Sequence, residues 1–180
     1  MSNPFAPVPR PAVHSLFFAV RPPHAVGQRI LEETARLPLG GTPVRLDRLH
    51  VTTLSLVHYG EIPHGLADEA AYVAAAMRNA PFRVIFDRLI AGEKSALLLP
   101  SEPLDALRMF RERLGFTLMR GLGFRFDARF NPHVTVAYAN KRRFETPIDP
   151  IIWTVDEFVL IDSQIGQARQ VEVGRWRLGA

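Results

Sequence analysis

The sequence predicts an α+β fold: two pseudo-symmetric lobes whose antiparallel sheets line a central cleft, with helices on the outer faces. Three observations lead there. Short apolar runs bounded by Pro and Gly alternate with amphipathic stretches of helical period. The order strand, helix, strand occurs twice, before residue 60 and again over residues 96–138. Each copy ends on a strand carrying nearly the same four residues, Leu-His-Val-Thr at Leu49–Thr52 and Pro-His-Val-Thr at Pro132–Thr135.

The elements follow in order. Residues 1–11 carry prolines at positions 4, 7, 9 and 11 and read as a flexible lead-in, without the positive-then-apolar pattern of a targeting peptide. Residues 12–180 are expected to form a single bilobal domain. His14–Arg21 is a buried strand closed by Pro22 and Pro23. A helix over Pro23–Leu37 has Val26, Ile30 and Leu37 on one face, and Pro38 with Gly40 and Gly41 ends it. Arg45–Val57 reads as a strand, bulged near Thr53, and Gly65–Met77 as a second helix. Phe82–Ile90 and Ala96–Leu99 pair through a turn at Gly92. Ser101 and Pro103 open a third helix with Leu104, Leu107, Phe110, Leu114 and Leu118 on its stripe, stopped at Gly121 and Gly123. Asn131–Tyr138, Ile151–Ile161 and Gln170–Leu178 complete the strands.

Composition narrows the function. There is no cysteine, so disulfides and thiolate metal sites are excluded, and a cytoplasmic location fits. No apolar run is long enough to span a bilayer, so no membrane role is expected. The net charge of +4 is unevenly spread. Residues 101–143 hold nine Lys or Arg against four Asp or Glu, so the basic excess flanks the second motif and favours phosphate-bearing ligands there. The second half is therefore the better place to expect phosphate capture.

In a strand, side chains alternate between faces, so His50 and Thr52 point one way, as do His133 and Thr135. Composition alone predicts about 0.3 His-x-Thr matches, and either histidine by itself reads as satisfied within a strand. Two matches in equivalent positions carry more weight. Two imidazoles can divide acid and base between them, and hydroxyls with nearby arginines can hold nonbridging phosphate oxygens. A metal site of His50, His58 and His133 is a weaker alternative, because no carboxylate or thiolate supports it. Phe124, Phe126 and Phe130 interleave with Arg125 and Arg129, a pattern open to base stacking, but alternation favours core for at least two of the three rings. Tyr138 and Tyr59 are further candidates for base contact.

The opening strand Ser15–Val20, the segment Arg45–Thr52 and the segment Phe130–Val136 together resemble the two-histidine phosphoesterase superfamily. Within it they are most similar to the bacterial RNA 2′,3′-cyclic phosphodiesterases long labelled 2′-5′ RNA ligases. The resemblance implies a sheet-lined cleft, no cofactor, no required metal, and cleavage of a 2′,3′-cyclic phosphate to a 2′-phosphate. It implies His50 as general acid on O3′, His133 as general base on water, and Thr52 and Thr135 as phosphate ligands. Tyr138, Arg129, Lys141 and Arg142 join them as candidate substrate-binding residues.

The chain departs from the family pattern at Thr53, at the late Gly60, and at Tyr138, where many relatives place an arginine. The expected partners are RNA ends or small cyclic or 2′-5′-linked nucleotides, met by a monomer. The alternatives are a noncatalytic RNA-end or nucleotide-binding module, or 2′-5′ ligation by the reverse reaction.

Overall fold

A computed structural model describes residues 13–167 and 169–179. The lead-in expected at residues 1–11 lies outside them. The chain runs β1 (His14–Val20), α1 (His24–Ala35), β2 (Thr42–Pro43), a 3-10 turn (Leu46–Arg48), β3 (Val51–Gly60), α2 (Leu66–Ala74), β4 (Phe82–Ala91) and β5 (Ser95–Leu99). It continues through α3 (Asp105–Leu122), β6 (Val134–Tyr138), β7 (Phe144–Val155), β8 (Glu157–Gln164) and β9 (Arg169–Arg177). No helix among the described residues is long and apolar enough to cross a membrane.

The strands form two antiparallel sheets, ordered β3-β1-β8-β9 and β2-β6-β5-β4-β7. In each, the motif strand pairs with the strand that precedes its helix: β3 with β1, and β6 with β5. Apart from the two-residue β2, the sheets therefore correspond strand for strand, which is the two-lobed symmetry the repeated order predicts. Ser15–Val20 is buried along its whole length, as a central strand covered on both faces requires.

One face of each sheet joins the helices in a continuous core. Two of the helices, α1 and α3, are exchanged between halves. The first helix, α1, follows a strand of the first sheet yet packs on β6 and β7 of the second. The other two, α2 and α3, lie together against β9 and β3 of the first sheet, and α3 also reaches β4. Aromatic contacts carry this core across the molecule. Phe158 of β8 meets Phe18 of β1, Trp176 of β9 and Phe110 of α3, and Phe110 meets Phe82 of β4.

Several boundaries differ from the sequence reading. Strand β7 begins at Phe144, seven residues before the expected Ile151, and runs through Pro147 and Pro150. It is an edge strand, where prolines cost no ladder hydrogen bond. Gly121 lies inside α3 instead of ending it. A Cβ there would come 2.7 Å from a Val73 methyl, so the glycine lets α3 approach α2. Gly123, at φ 67°, ends the helix by donating its N–H to the Met119 carbonyl at 2.9 Å. Both motif strands start later than expected, at Val51 and Val134, so each histidine stands at a strand entrance. Before His50, the bonds from Arg45 to Asp47 (2.9 and 3.0 Å) brace the 3-10 turn that takes the place of the expected strand.

Gly41 is a second packing glycine. A Cβ at this position would sit 2.2 Å from the Tyr138 carbonyl oxygen, a backbone atom held in the pairing of β2 with β6. Gly41→Ala is expected to lower stability by about 1–3 kcal/mol in urea unfolding, through overpacking with no flexible neighbour to yield.

Candidate active site

The two histidines are held in the same way. The His50 Nδ1–H donates to the Arg48 carbonyl at 2.6 Å, and the His133 Nδ1–H donates to the Asn131 carbonyl at 2.8 Å. A carbonyl can only accept, so Nδ1 carries the proton in each ring. Nε2 is left to offer a lone pair when the ring is neutral and a proton when it is charged. The identical i−2 bond follows from the identical position at a strand entrance.

The surroundings differ. The His50 ring stacks on Phe17, with centroids 5.1 Å apart and planes inclined by 25°. Burial lowers its pKa from 6.5 to about 4, the Arg48 carbonyl opposes the shift, and the positive charges of Arg21 and His133 add to it. The effect of His133 also shows that the two imidazoles lie within electrostatic reach of each other.

Strand register places the threonines. Thr52 lies opposite Ala19, and Thr135 opposite Leu97; both are half-buried. Phe17, Ala19, Val159 and Ile161 form a small apolar cluster apart from the main core. It occupies the face of the first sheet that carries His50 and Thr52. On β6, Val134 and Val136 are buried in the main core, so Thr135 belongs to the face opposite to them. His58 stands exposed, edge-on to Tyr59 with centroids 4.5 Å apart. No group of three or more His, Cys, Asp or Glu converges among the described residues.

The arginines are arranged differently from the charge distribution along the chain. Arg21, Arg45, Arg48 and Arg169 gather beside the first motif, with Arg175 close by. In the second half, Arg129 is highly exposed and pairs with Asp127, and Arg143 pairs with Glu93. Lys141 and Arg142 lie beyond the far end of β6 from His133, where the Lys141 N–H donates to the Glu93 carbonyl and Arg142 packs by Gly40. Tyr138 is exposed, and its hydroxyl lies within electrostatic reach of Arg48 and Tyr59. The structure thus brings Tyr138 toward residues of the first half, and places Arg129, Lys141 and Arg142 in surface pairs and turns.

Sequence reasoning missed Arg111. This α3 residue is only 6% exposed. Its Nε donates to the Thr53 carbonyl at 3.0 Å, immediately after the first motif. Its NH2 group donates to the carbonyls of Asp127 and Arg129, shortly before the second. The guanidinium also lies over Phe126 and Phe130, 5.4 and 5.0 Å from the ring centroids. Those rings serve this contact and the core, as alternation favoured. An arginine on the apolar stripe of a predicted helix, four positions before Gly115, is the signal that could have revealed it.

A family model described as the 2′-5′ RNA ligase superfamily matches residues 22–167. The chain belongs to this family. Among solved structures it is similar to a crystallised phosphoesterase (TM-score 0.77, 24% identity, 93% of this chain and 99% of that one). It is also similar to E. coli LigT complexed with 3′-AMP (TM-score 0.76, 24% identity, with the same shares covered). TT0787 of Thermus thermophilus aligns at TM-score 0.70 and 25% identity, over 91% of this chain and 97% of that one. No curated protein matches the chain. Family and fold together agree with the two-histidine phosphoesterase architecture and with a family of phosphoesterases and ligases.

Two outcomes follow. Replacing Arg111 with Met leaves buried carbonyls without donors and is expected to cost about 2–4 kcal/mol, read from urea unfolding, with Arg111→Lys intermediate. His50 titrates near 4 when folded and near 6.5 when unfolded, so the unfolded chain binds more protons between those values. Stability should rise with pH across that window and fall as pH drops through it. His50→Gln should flatten this dependence in unfolding curves measured from pH 4 to 7.

Proposed function

We propose that this protein is a metal-independent phosphodiesterase that hydrolyses 2′,3′-cyclic phosphate ends of RNA, or related nucleotides, to 2′-phosphates. The observation that carries this reading is the matched pair of imidazoles. Each has Nδ1 committed to a carbonyl and Nε2 available, and the two lie within electrostatic reach. In-line opening of a cyclic phosphate needs one proton removed from water and one delivered to the departing O3′. Two such nitrogens supply both transfers. The half-buried Thr52 and Thr135 hydroxyls are assigned to the nonbridging oxygens, and Arg21 offsets charge developing beside His50.

The division of labour follows from burial. The resemblance implies His50 as the acid, yet its desolvated ring is neutral at pH 7 and carries an unshared pair on Nε2. His50 is therefore assigned as the base and His133 as the acid. The His50 Nε2 takes a proton from water as the water oxygen bonds to phosphorus. The P–O3′ bond then breaks, and the His133 Nε2–H protonates O3′. The product is a 2′-phosphate with a free 3′-hydroxyl, and proton exchange with solvent restores both rings.

The protein incubated in chelator with 2′,3′-cyclic mononucleotides and a cyclic-ended oligonucleotide should yield 2′-phosphates. Absence of turnover on all of them would sink the reading. His50→Ala and His133→Ala should each lower kcat by about 10²–10⁴. A para-nitrophenyl phosphodiester of a nucleoside tests the roles, because its leaving group needs no proton. With it the His133→Ala loss should shrink while the His50→Ala loss persists, and the opposite pattern would return the acid role to His50.

A further inference from the structure

The arginine cluster beside the first motif exceeds what one phosphate requires. We infer that the first sheet carries a second phosphate subsite next to His50, built from Arg21, Arg45, Arg48 and Arg169 with Gln170, which receives a further phosphate group of the same substrate. The inference rests on the phosphodiesterase reading for the identity of the substrate. These side chains line a pocket of about 330 Å³. Four guanidinium groups face two carboxylates there, Asp47 and Glu172. Arg45 is paired with Asp47 at 2.9 Å and Arg21 with Glu172 at 3.2 Å. Arg48 and Arg169 make no ion pair among the described residues. The pocket therefore carries excess positive charge, in the planar form suited to two-pronged contact with phosphate oxygens.

A second observation points the same way. The Arg21 Nε–H is buried without an acceptor among the described residues. Buried polar atoms are almost always paired, and an unpaired guanidinium donor in this pocket calls for an acceptor such as a phosphate oxygen.

The pocket adjoins the site through Arg48, which lines it. Arg21 acts on His50, the backbone carbonyl of Arg48 holds the His50 ring, and the Arg48 guanidinium lies within electrostatic reach of the Tyr138 hydroxyl. Gln170 pairs with Ser163 on β8, whose other neighbour is Ser15 of β1. The subsite therefore runs across the first sheet, away from the scissile position. A substrate carrying only the cyclic phosphate leaves it unused. A nucleotide with a second phosphate, whether a 5′-phosphate or the phosphodiester to a preceding nucleotide, engages both places.

The test compares three substrates: a 2′,3′-cyclic mononucleotide, the same nucleotide with a 5′-phosphate, and a cyclic-ended dinucleotide. The variant is Arg169→Ala, an exposed residue outside the acid–base pair and outside the turn that holds His50. At least one of the two-phosphate substrates should lose about tenfold in kcat/KM, chiefly through KM, while the mononucleotide stays within about twofold. Which of them responds identifies the source of the second phosphate, and an equal change on all three substrates overturns the subsite. Binding of the same three ligands is then measured in the His50→Ala/His133→Ala background, where turnover plays no part. Tighter binding of a two-phosphate ligand, lost with Arg169 along with a salt-dependence slope of about 1, supports the subsite even if the native protein hydrolyses nothing. Equal affinities there overturn it whatever the outcome for hydrolysis.

Discussion

The buried guanidinium of Arg111 sets the relation between the two halves of the candidate site. Residues 123–133 approach the second motif with no helix or strand, so their carbonyls lack a ladder to satisfy them. Arg111 donates to two of those carbonyls and, on its other side, to the backbone of β3 directly after Thr52. An arginine can do this because its donors are spread over a rigid planar fork, whereas an ammonium is a single point. The aromatic rings of Phe126 and Phe130 replace water over its faces. Gly115 completes the arrangement: a Cβ there would meet the Phe126 ring at 2.5 Å. One helix thus locks the approach to His133 against the strand that carries Thr52.

The exchange of helices reinforces that coupling. Because α1 covers the second sheet while α2 and α3 cover the first, neither half can bury its own core face alone. The ring contacts from Trp176 through Phe158 and Phe110 to Phe82 run through this shared interior. A repeated strand-helix-strand unit therefore yields one cooperative core.

The architecture was legible because its signals are local. Proline-bounded apolar runs, the amphipathic stripe of α3 and the duplicated motif each reside in a few consecutive residues. The late start of β3 was hidden, since Arg45–Leu49 has the composition of a strand while the Arg45–Asp47 side-chain bonds favour a turn. The length of β7 was hidden by Pro147 and Pro150, whose tolerance depends on a place at the sheet edge that no local pattern reveals. Charge was the least legible property. Counted along the chain it favours the second motif, but Arg169 and Gln170 return on β9 to the first, while Arg129 and Arg143 are engaged by nearby carboxylates. Sequence windows record where a charge is encoded, and only the pairing of β8 with β9 decides where it acts.

The same distinction explains how two nearly identical motifs come to differ. Both histidines make the same backbone bond, so neither tautomer nor strand position separates them. What separates them is the strand beneath. Beside the first motif, β1 contributes Phe17 and Ala19, which with Val159 and Ile161 form an apolar floor against the His50 ring. Beside the second, β5 contributes Leu97, which remains partly exposed. A cation over the first floor loses hydration, and Arg21 adds a like charge, so burial favours the neutral form of the His50 imidazole. A symmetric duplication supplies two imidazoles held by the same backbone bond. The asymmetric packing under one of them is what makes their environments differ.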